Sequence, residues 1–170
     1  YANVPSSSIC KFCAAGFYVR DVLPRSACSP CDAGKFQPSN DVARVVSDCL
    51  SCMKGKYQSS TGSASCLECD SGTFQTSGVD SATSCKFCQA GRAFKDSLSD
   101  CTNCVKGRYQ PSDSEAGVSC TLCADGYYAD STGESSCKPC SKGKYGSGDA
   151  ASKESEEHCK ACPSGYYLDQ

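Results

Sequence analysis

The 170-residue sequence contains no tryptophan, one methionine and one histidine, and it is poor in the residues that fill protein cores. Leucine, isoleucine, valine and phenylalanine together make up 22 residues, or 13% of the chain. Below about a fifth, a chain does not normally bury enough apolar surface to offset the conformational entropy that it loses on folding. The composition therefore excludes a single large hydrophobic core.

Charge of one sign and long apolar runs are missing as well. With 17 basic and 19 acidic residues, the net charge is −2, which provides no field to attract nucleic acid or an anionic membrane. No run of about 18 apolar residues occurs, so no membrane span is expected in this chain. Because the sequence begins at Tyr1 without an initiator methionine or a signal sequence, we expect a processed product or a segment of a longer protein.

Cysteine is abundant instead. All 18 cysteines occur in nine Cys-x-x-Cys pairs, a density typical of covalent scaffolds outside the reducing cytosol. A glycine follows each pair by three residues, and a Tyr or Phe follows that glycine by two in eight of the nine repeats. In the fifth repeat Ala93 holds the aromatic position and Phe94 follows it, which predicts shifted packing there. The predicted organisation is a connecting segment, residues 1–9, and nine tandem repeats within 10–170, which open at residues 10, 28, 49, 66, 85, 101, 120, 137 and 159.

The repeats predict a small disulfide-rich, mostly β or irregular fold. Serine- and glycine-rich stretches between the aromatic position and the next cysteine are typical of tight turns, with Gly62, Gly117 and Gly133 expected at positive φ. Each unit is interpreted as a minimal β-hairpin, and a period of about 20 residues predicts a linear array of nine short hairpins. At about 3 residues of advance per linker, the array would be an elongated rod of about 90 Å. Residues 42–47 are the best candidate for a helical turn or a small apolar patch.

Spacing alone leaves the disulfide pairing open. A bond within each Cys-x-x-Cys closes a small, strained ring typical of redox enzymes, and it remains an alternative. A ladder, in which the second cysteine of one pair bonds the first cysteine of the next, is simpler because it closes each hairpin. It would consist of Cys13–Cys28, Cys31–Cys49, Cys52–Cys66, Cys69–Cys85, Cys88–Cys101, Cys104–Cys120, Cys123–Cys137 and Cys140–Cys159.

The ladder leaves Cys10 and Cys162 without partners, one at each end of the array. They would pair with flanking repeats in a longer chain, or Cys162 of one copy would bond Cys10 of the next. The hypothesis is that the array continues past both ends, by covalent bonds or by stacking.

Three segments, CSPCDAGKFQP, CLECDSGTFQT and CKACPSGYY, resemble the cysteine-rich repeats called ephrin-receptor-like. They also resemble the first half-module of the cysteine-rich domains of tumour-necrosis-factor receptors. The resemblance covers nearly the whole chain, from Cys10 to Tyr167, and it implies the same ladder of disulfide-closed hairpins. Similar arrays occur in receptor ectodomains, in matrix and adhesion proteins and in large repetitive surface or fibre proteins.

Other chemistries have weaker support. Pairs of Cys-x-x-Cys match ribbon-type zinc sites, although nine is an odd number of pairs. His158 beside Cys159 could form a nucleophilic pair only if that thiol were free. The acidic residues Glu154, Glu156 and Glu157, with Asp149 nearby, lack the oxygen-ligand spacing of a calcium loop. The sequence therefore predicts no enzyme activity, no cofactor and no metal.

The predicted function is a non-enzymatic, extracellular structural and interaction module, either a segment of a long surface protein or a subunit of a filament. The expected partner is protein, above all copies of the same chain. The 36 serine and threonine residues add O-linked sugar as a hypothesis, since no N-glycosylation sequon is present. The alternative is the cysteine-rich ectodomain of a receptor or adhesion protein that binds a protein ligand.

Overall fold

The computed structural model describes residues 12–19, 27–38, 48–78, 81–149 and 151–166. Eight disulfides close eight consecutive loops, which we number hairpins 1 to 8. Their Cα–Cα separations lie between 5.5 and 5.9 Å, normal for cystine. The bonds are Cys13–Cys28, Cys31–Cys49, Cys52–Cys66, Cys69–Cys85, Cys88–Cys101, Cys104–Cys120, Cys123–Cys137 and Cys140–Cys159. This pairing is the ladder, so these sixteen sulfurs are not available as zinc thiolates or as nucleophiles.

Seven of the hairpins contain a two-stranded antiparallel sheet, and hairpin 4 contains the single bridge Phe74–Lys86. The sheets pair β1 with β2, β3 with β4, β5 with β6, β7 with β8, β9 with β10, β11 with β12 and β13 with β14. The strands are β1 Phe17–Val19, β2 Cys28–Pro30, β3 Lys35–Phe36, β4 Leu50–Ser51, β5 Lys56–Tyr57, β6 Leu67–Glu68, β7 Arg92–Ala93, β8 Thr102–Asn103, β9 Arg108–Tyr109, β10 Thr121–Leu122, β11 Tyr127–Tyr128, β12 Lys138–Pro139, β13 Lys144–Tyr145 and β14 Lys160–Ala161.

The predicted fold class, a disulfide-rich series of short hairpins with little regular structure, is confirmed. Nine hairpins were expected, and the described residues contain eight that are closed by a disulfide. The ninth unit opens at Cys162, and its remainder after Tyr166 lies outside the described part of the chain.

A type II turn explains why glycine follows every Cys-x-x-Cys pair. In hairpin 2 the Lys35 N–H donates to the Asp32 carbonyl at 3.0 Å, and in hairpin 5 the Arg92 N–H donates to the Gln89 carbonyl at 3.1 Å. The glycine is the third residue of each turn, and its φ lies between +74° and +90° in all nine repeats. A type II turn requires positive φ at that position, which only glycine adopts without strain. The expected positive φ of Gly62, Gly117 and Gly133 is also confirmed.

The buried apolar residues are mostly the cystines themselves. One apolar cluster surrounds the disulfide of hairpin 5, where Phe74 of hairpin 4 packs with Cys88 and Cys101. Phe94 and Val118 are partly buried against this cluster. Phe94 therefore supplies the ring that Ala93 cannot, which is the shifted packing expected for the fifth repeat.

The helical turns of the described chain lie in hairpin 8, at Ala151–Lys153 and Glu156–His158, both of 3₁₀ type. The predicted helical turn at residues 42–47 falls outside the described residues. Neither 3₁₀ turn, nor any other helix of the described chain, is long and apolar enough to cross a membrane.

The chain divides into two compact units. The first comprises residues 1–68 and 77–84, and the second comprises residues 69–76 and 85–170. The loop end of hairpin 4 thus belongs to the first unit, because it packs on hairpins 2 and 3.

Candidate functional site

Within each unit, successive hairpins contact one another through a recurring arrangement, which we call the three-hairpin node. We call the segment just before the closing cysteine of a hairpin its tip. The node joins the turn glycine of one hairpin, the residue that follows the aromatic position in the next hairpin, and the tip of the hairpin after that. In the first unit Gly34 N–H donates to the Gln58 carbonyl at 2.7 Å, and Gln58 N–H donates to the Ala82 carbonyl at 2.9 Å. Cys52 N–H returns a hydrogen bond to the Gly34 carbonyl at 2.9 Å. The backbone of three successive hairpins is therefore hydrogen-bonded at one point.

The second unit repeats the node with the same atoms. Gly91 N–H donates to the Gln110 carbonyl at 2.7 Å, and Gln110 N–H donates to the Glu134 carbonyl at 3.2 Å. At the tip of hairpin 7, Gly133 N–H donates to the Cys104 carbonyl at 2.8 Å. The recurrence shows that the node is a property of the repeat rather than of one loop.

The turn glycine therefore has a second role besides its positive φ. A Cβ added to Gly91 would overlap the carbonyl of Gly133, and one added to Gly34 would overlap the backbone of Ser81. Each of these contacts joins a glycine to the tip of the hairpin two further along the chain. Glycine is needed because the two backbones approach each other too closely for any side chain.

The glutamines of the node were missed by the sequence interpretation. Gln37, Gln58, Gln75 and Gln110 directly follow the aromatic position and are all buried, with Gln110 only 1% exposed. The Gln58 side chain donates to the Ser65 carbonyl at 2.9 Å and accepts from Ser60 N–H at 3.0 Å, which holds its own loop in shape. The recurrence of glutamine at one repeat position in four of nine units was the available signal.

Lys153 takes the place of a tip glycine in hairpin 8. Its side chain is 3% exposed, and its ammonium donates to the Cys123 carbonyl at 2.7 Å and to Asp125 Oδ1 at 2.6 Å. In hairpin 7 the equivalent bond to a cysteine carbonyl comes from the backbone N–H of Gly133. The longer loop of hairpin 8 thus completes the node with a side chain.

The Lys153→Met variant is expected to lower the free energy of opening of hairpin 8 by about 1–3 kcal/mol, because the Cys123 carbonyl loses a buried donor. Amide exchange of Ala129, whose N–H donates to the Lys153 carbonyl at 2.9 Å, measures this opening. Lys144→Met is the matched control. Lys144 is 42% exposed and lies 3.9 Å from Glu156, so its loss should cost about 0–1 kcal/mol. Equal effects of the two variants would contradict the assigned role of Lys153.

An ion pair on the surface of hairpin 7 predicts a pH dependence. Lys138 Nζ lies 2.6 Å from Asp130 Oδ1, and this hydrogen bond holds the pKa of Asp130 below its ordinary 3.8 and the pKa of Lys138 above its ordinary 10.5. The stabilisation from Asp130 is present above pH 3.8 and is lost as the pH falls through its lowered pKa. The stabilisation from Lys138 is present below pH 10.5 and is lost as the pH rises through its raised pKa. A carboxyl NMR titration in which Asp130 titrates at or above 3.8 would contradict this assignment.

The remaining candidate groups of the sequence lie in hairpin 8. Ser155 Oγ and His158 Nδ1 lie 3.0 Å apart within one exposed 3₁₀ turn, and Cys159 is bonded to Cys140. Glu156 is engaged by the Ser141 hydroxyl. Across the described residues, no three Cys, His, Asp or Glu side chains converge as metal ligands.

Of the two cysteines that the ladder leaves unpaired, only Cys162 lies within the described residues. Cys162 is the one described cysteine outside a disulfide, and Cys10 lies outside the described residues. The Cys162 N–H donates to the Gly143 carbonyl at 3.0 Å, as the Cys31 N–H donates to the Gly16 carbonyl at 2.8 Å. Cys162 therefore occupies the position of an opening cysteine of the ladder, with its thiol unbonded.

Comparison with known proteins agrees with this architecture. A search of curated proteins found no match to the chain. A family model described as tyrosine-protein kinase ephrin type A/B receptor-like matches residues 112–156, which extend from the loop of hairpin 6 into that of hairpin 8. Together with the many disulfides, this match indicates an extracellular location. The chain is thus a cysteine-rich repeat module in which residues 112–156 are similar to that family, and the resemblance to the ephrin-receptor-like repeats is confirmed there.

Proposed function

We propose that this chain is a non-enzymatic structural and interaction module outside the cell, forming a segment of a long surface protein or a subunit of a filament. The observation that carries the proposal is the three-hairpin node. Each of the eight hairpins is closed by a disulfide, and the nodes hydrogen-bond successive hairpins within each unit, so each unit resists both extension and bending. The module transmits load through its Cys-x-x-Cys joints while the loops stay closed.

The mechanical part of the proposal is tested by pulling single molecules of the chain from its two ends. Without reductant, the eight loops of 13 to 19 residues should stay locked, and only the joints and the ends should extend. With a reductant, each opened loop should add roughly 40–60 Å of contour length in a separate step. Extension to the full contour length without reductant would overturn the proposal.

The second candidate is a receptor or adhesion ectodomain that binds a protein ligand, and the match at residues 112–156 favours it. Electron microscopy of the native material separates the two. Regular fibres support the structural module, whereas isolated monomers that bind a soluble protein saturably support the receptor.

A further inference from the structure

The eight disulfides differ in how deeply their cysteines are buried. In seven of them at least one cysteine is buried, and Cys31, Cys52 and Cys88 are 0% exposed. In the bond that closes hairpin 4, neither Cys69 nor Cys85 is buried, and both are partly exposed. Among the described disulfides, Cys69–Cys85 is therefore the one in which solvent has access to both cysteines.

Exchange between a disulfide and a thiol requires access to both cysteines. The incoming thiolate attacks one sulfur, and the other sulfur leaves as a thiolate, whose charge is disfavoured in a buried position. Hairpin 1 shows the distinction, because Cys28 is exposed but its partner Cys13 is buried. An attack on Cys28 would leave a thiolate on the buried Cys13. In Cys69–Cys85, by contrast, either sulfur can be attacked and either can leave.

The stem of hairpin 4 is held together by contacts that do not involve its disulfide. Phe74 N–H donates to the Lys86 carbonyl at 3.0 Å, and Lys86 N–H donates to the Phe74 carbonyl at 2.8 Å. The Phe74 ring is buried in the cluster with Cys88 and Cys101 of hairpin 5. These contacts join the two arms of the stem independently of the bond, so its cysteines stay close together after reduction and the bond can form again.

We propose that Cys69–Cys85 is a reversible thiol–disulfide exchange site, at which a low-molecular-weight thiol such as glutathione opens hairpin 4 while the other seven disulfides stay closed. The first thiolate attacks one sulfur, forms a mixed disulfide and releases the other cysteine. A second small thiolate attacks the small-molecule sulfur of the mixed disulfide, releases the remaining cysteine and leaves as the oxidised small disulfide. Two small thiols are oxidised, and one protein disulfide is reduced to two thiols.

Under load, this exchange lengthens the module by one loop. The sequence separation of Cys69 and Cys85 is 16 residues, so the opened loop releases roughly 50 Å of contour length. Exposed disulfides are the class that serves regulatory roles, whereas structural ones resist reduction by the glutathione pool. The inference rests on the proposed function, which it deepens by giving the load-bearing module a length that thiols control.

Differential alkylation of the unmutated chain tests the order in which the disulfides open. The oxidised protein is incubated with reduced glutathione, free thiols are trapped with N-ethylmaleimide at successive times, and peptide mass spectrometry identifies the labelled cysteines. We expect Cys69 and Cys85 to be labelled about tenfold faster than the cysteines of any other disulfide, and oxidised glutathione to restore the bond in untrapped protein. Faster labelling of Cys13 and Cys28, or equal labelling of all eight pairs, would overturn the inference.

Two variants test whether burial sets this order. Phe74→Ala uncovers the Cys88–Cys101 disulfide and should accelerate its reduction about tenfold. Leu98→Ala is the matched control, because Leu98 lies in the same hairpin but is 54% exposed, and it should leave that rate unchanged. The same Cys88–Cys101 rate in both variants would show that packing does not protect the buried disulfides, which contradicts the inference.

Pulling single molecules in reduced glutathione separates this inference from the proposed function. The unmutated chain should first extend by one step of roughly 50 Å, and a variant with both Cys69→Ser and Cys85→Ser should show that step without reductant. If the loops lock without reductant but another disulfide opens first, the exchange site is wrong and the mechanical function stands. If the unmutated chain extends fully without reductant while Cys69 and Cys85 are still labelled first, the mechanical function is wrong and the exchange site stands.

Discussion

The Gly91→Ala variant is expected to destabilise the node of hairpins 5, 6 and 7 by about 3 kcal/mol or more. Alanine at φ +82° costs about 1–2 kcal/mol by itself. The added methyl group would also overlap the Gly133 carbonyl, so the tip of hairpin 7 has to move away. That movement breaks the Gly133–Cys104 and Gln110–Glu134 hydrogen bonds, which contribute about 1 kcal/mol each.

Gly143→Ala is the control for this variant. Gly143 has nearly the same φ, +77°, in the same type of turn, but a Cβ there would meet no atom within 4 Å. It should therefore cost only the conformational term of about 1–2 kcal/mol. Amide hydrogen exchange of Gly133 should accelerate about 100-fold in the Gly91 variant and should not change in the Gly143 variant. Similar exchange rates of Gly133 in the two proteins would mean that the close approach of Gly91 to Gly133 does not contribute to the stability of the node.

Replacing both Cys88 and Cys101 by alanine is expected to cost about 4–5 kcal/mol. Loss of a 13-residue loop closure accounts for about 3 kcal/mol in the chain-entropy model. The remainder comes from packing, because both sulfurs are buried in the cluster that holds Phe74. Removing atoms from such a cluster leaves a cavity that the neighbouring rings fill only in part.

The matched control removes Cys140 and Cys159 together. That disulfide closes a longer loop of 19 residues, so chain entropy alone predicts an effect at least as large, about 3 kcal/mol. The cluster around Phe74 does not include it. We therefore expect removal of the Cys88–Cys101 disulfide to destabilise its hairpin more than removal of the Cys140–Cys159 disulfide does, although Cys88–Cys101 closes the shorter loop. Amide hydrogen exchange at strands β7 and β13, measured with the other disulfides oxidised, compares the two effects. A larger effect for Cys140 and Cys159 would show that loop entropy, and not packing, dominates.

Much of the local structure follows from residues that are close in sequence. The glycine three residues after each pair predicts a special turn, because few other residues tolerate its φ. The serine-rich stretch that contains Gly62 predicts the tight turn observed there. The low content of large apolar residues predicts that disulfides, and not a hydrophobic core, hold the fold together. Phe94 could be expected to compensate for Ala93 because the two are adjacent.

The node itself could not be predicted in this way. Its contacts join residues from hairpins that are not adjacent in sequence, such as Gly34 with Ser81, and no local pattern encodes which loop meets which turn. A glutamine is normally found at the surface, but Gln110 is hydrogen-bonded through its backbone N–H and carbonyl, and its side chain is buried. Lys153 is a similar case, since a lysine in a loop is normally solvated and here an ammonium replaces a backbone N–H.

By itself, the sequence determined the repeat, its glycine turns and the disulfide-rich fold class, and it favoured the ladder that leaves Cys10 and Cys162 over. These features depend on short-range geometry, which residue spacing records directly. Only the tertiary structure decided that turn glycines such as Gly34 and Gly91 also contact the tip of the hairpin two units further along the chain. That outcome depends on how successive hairpins stack, because stacking brings together backbone atoms that are distant in sequence.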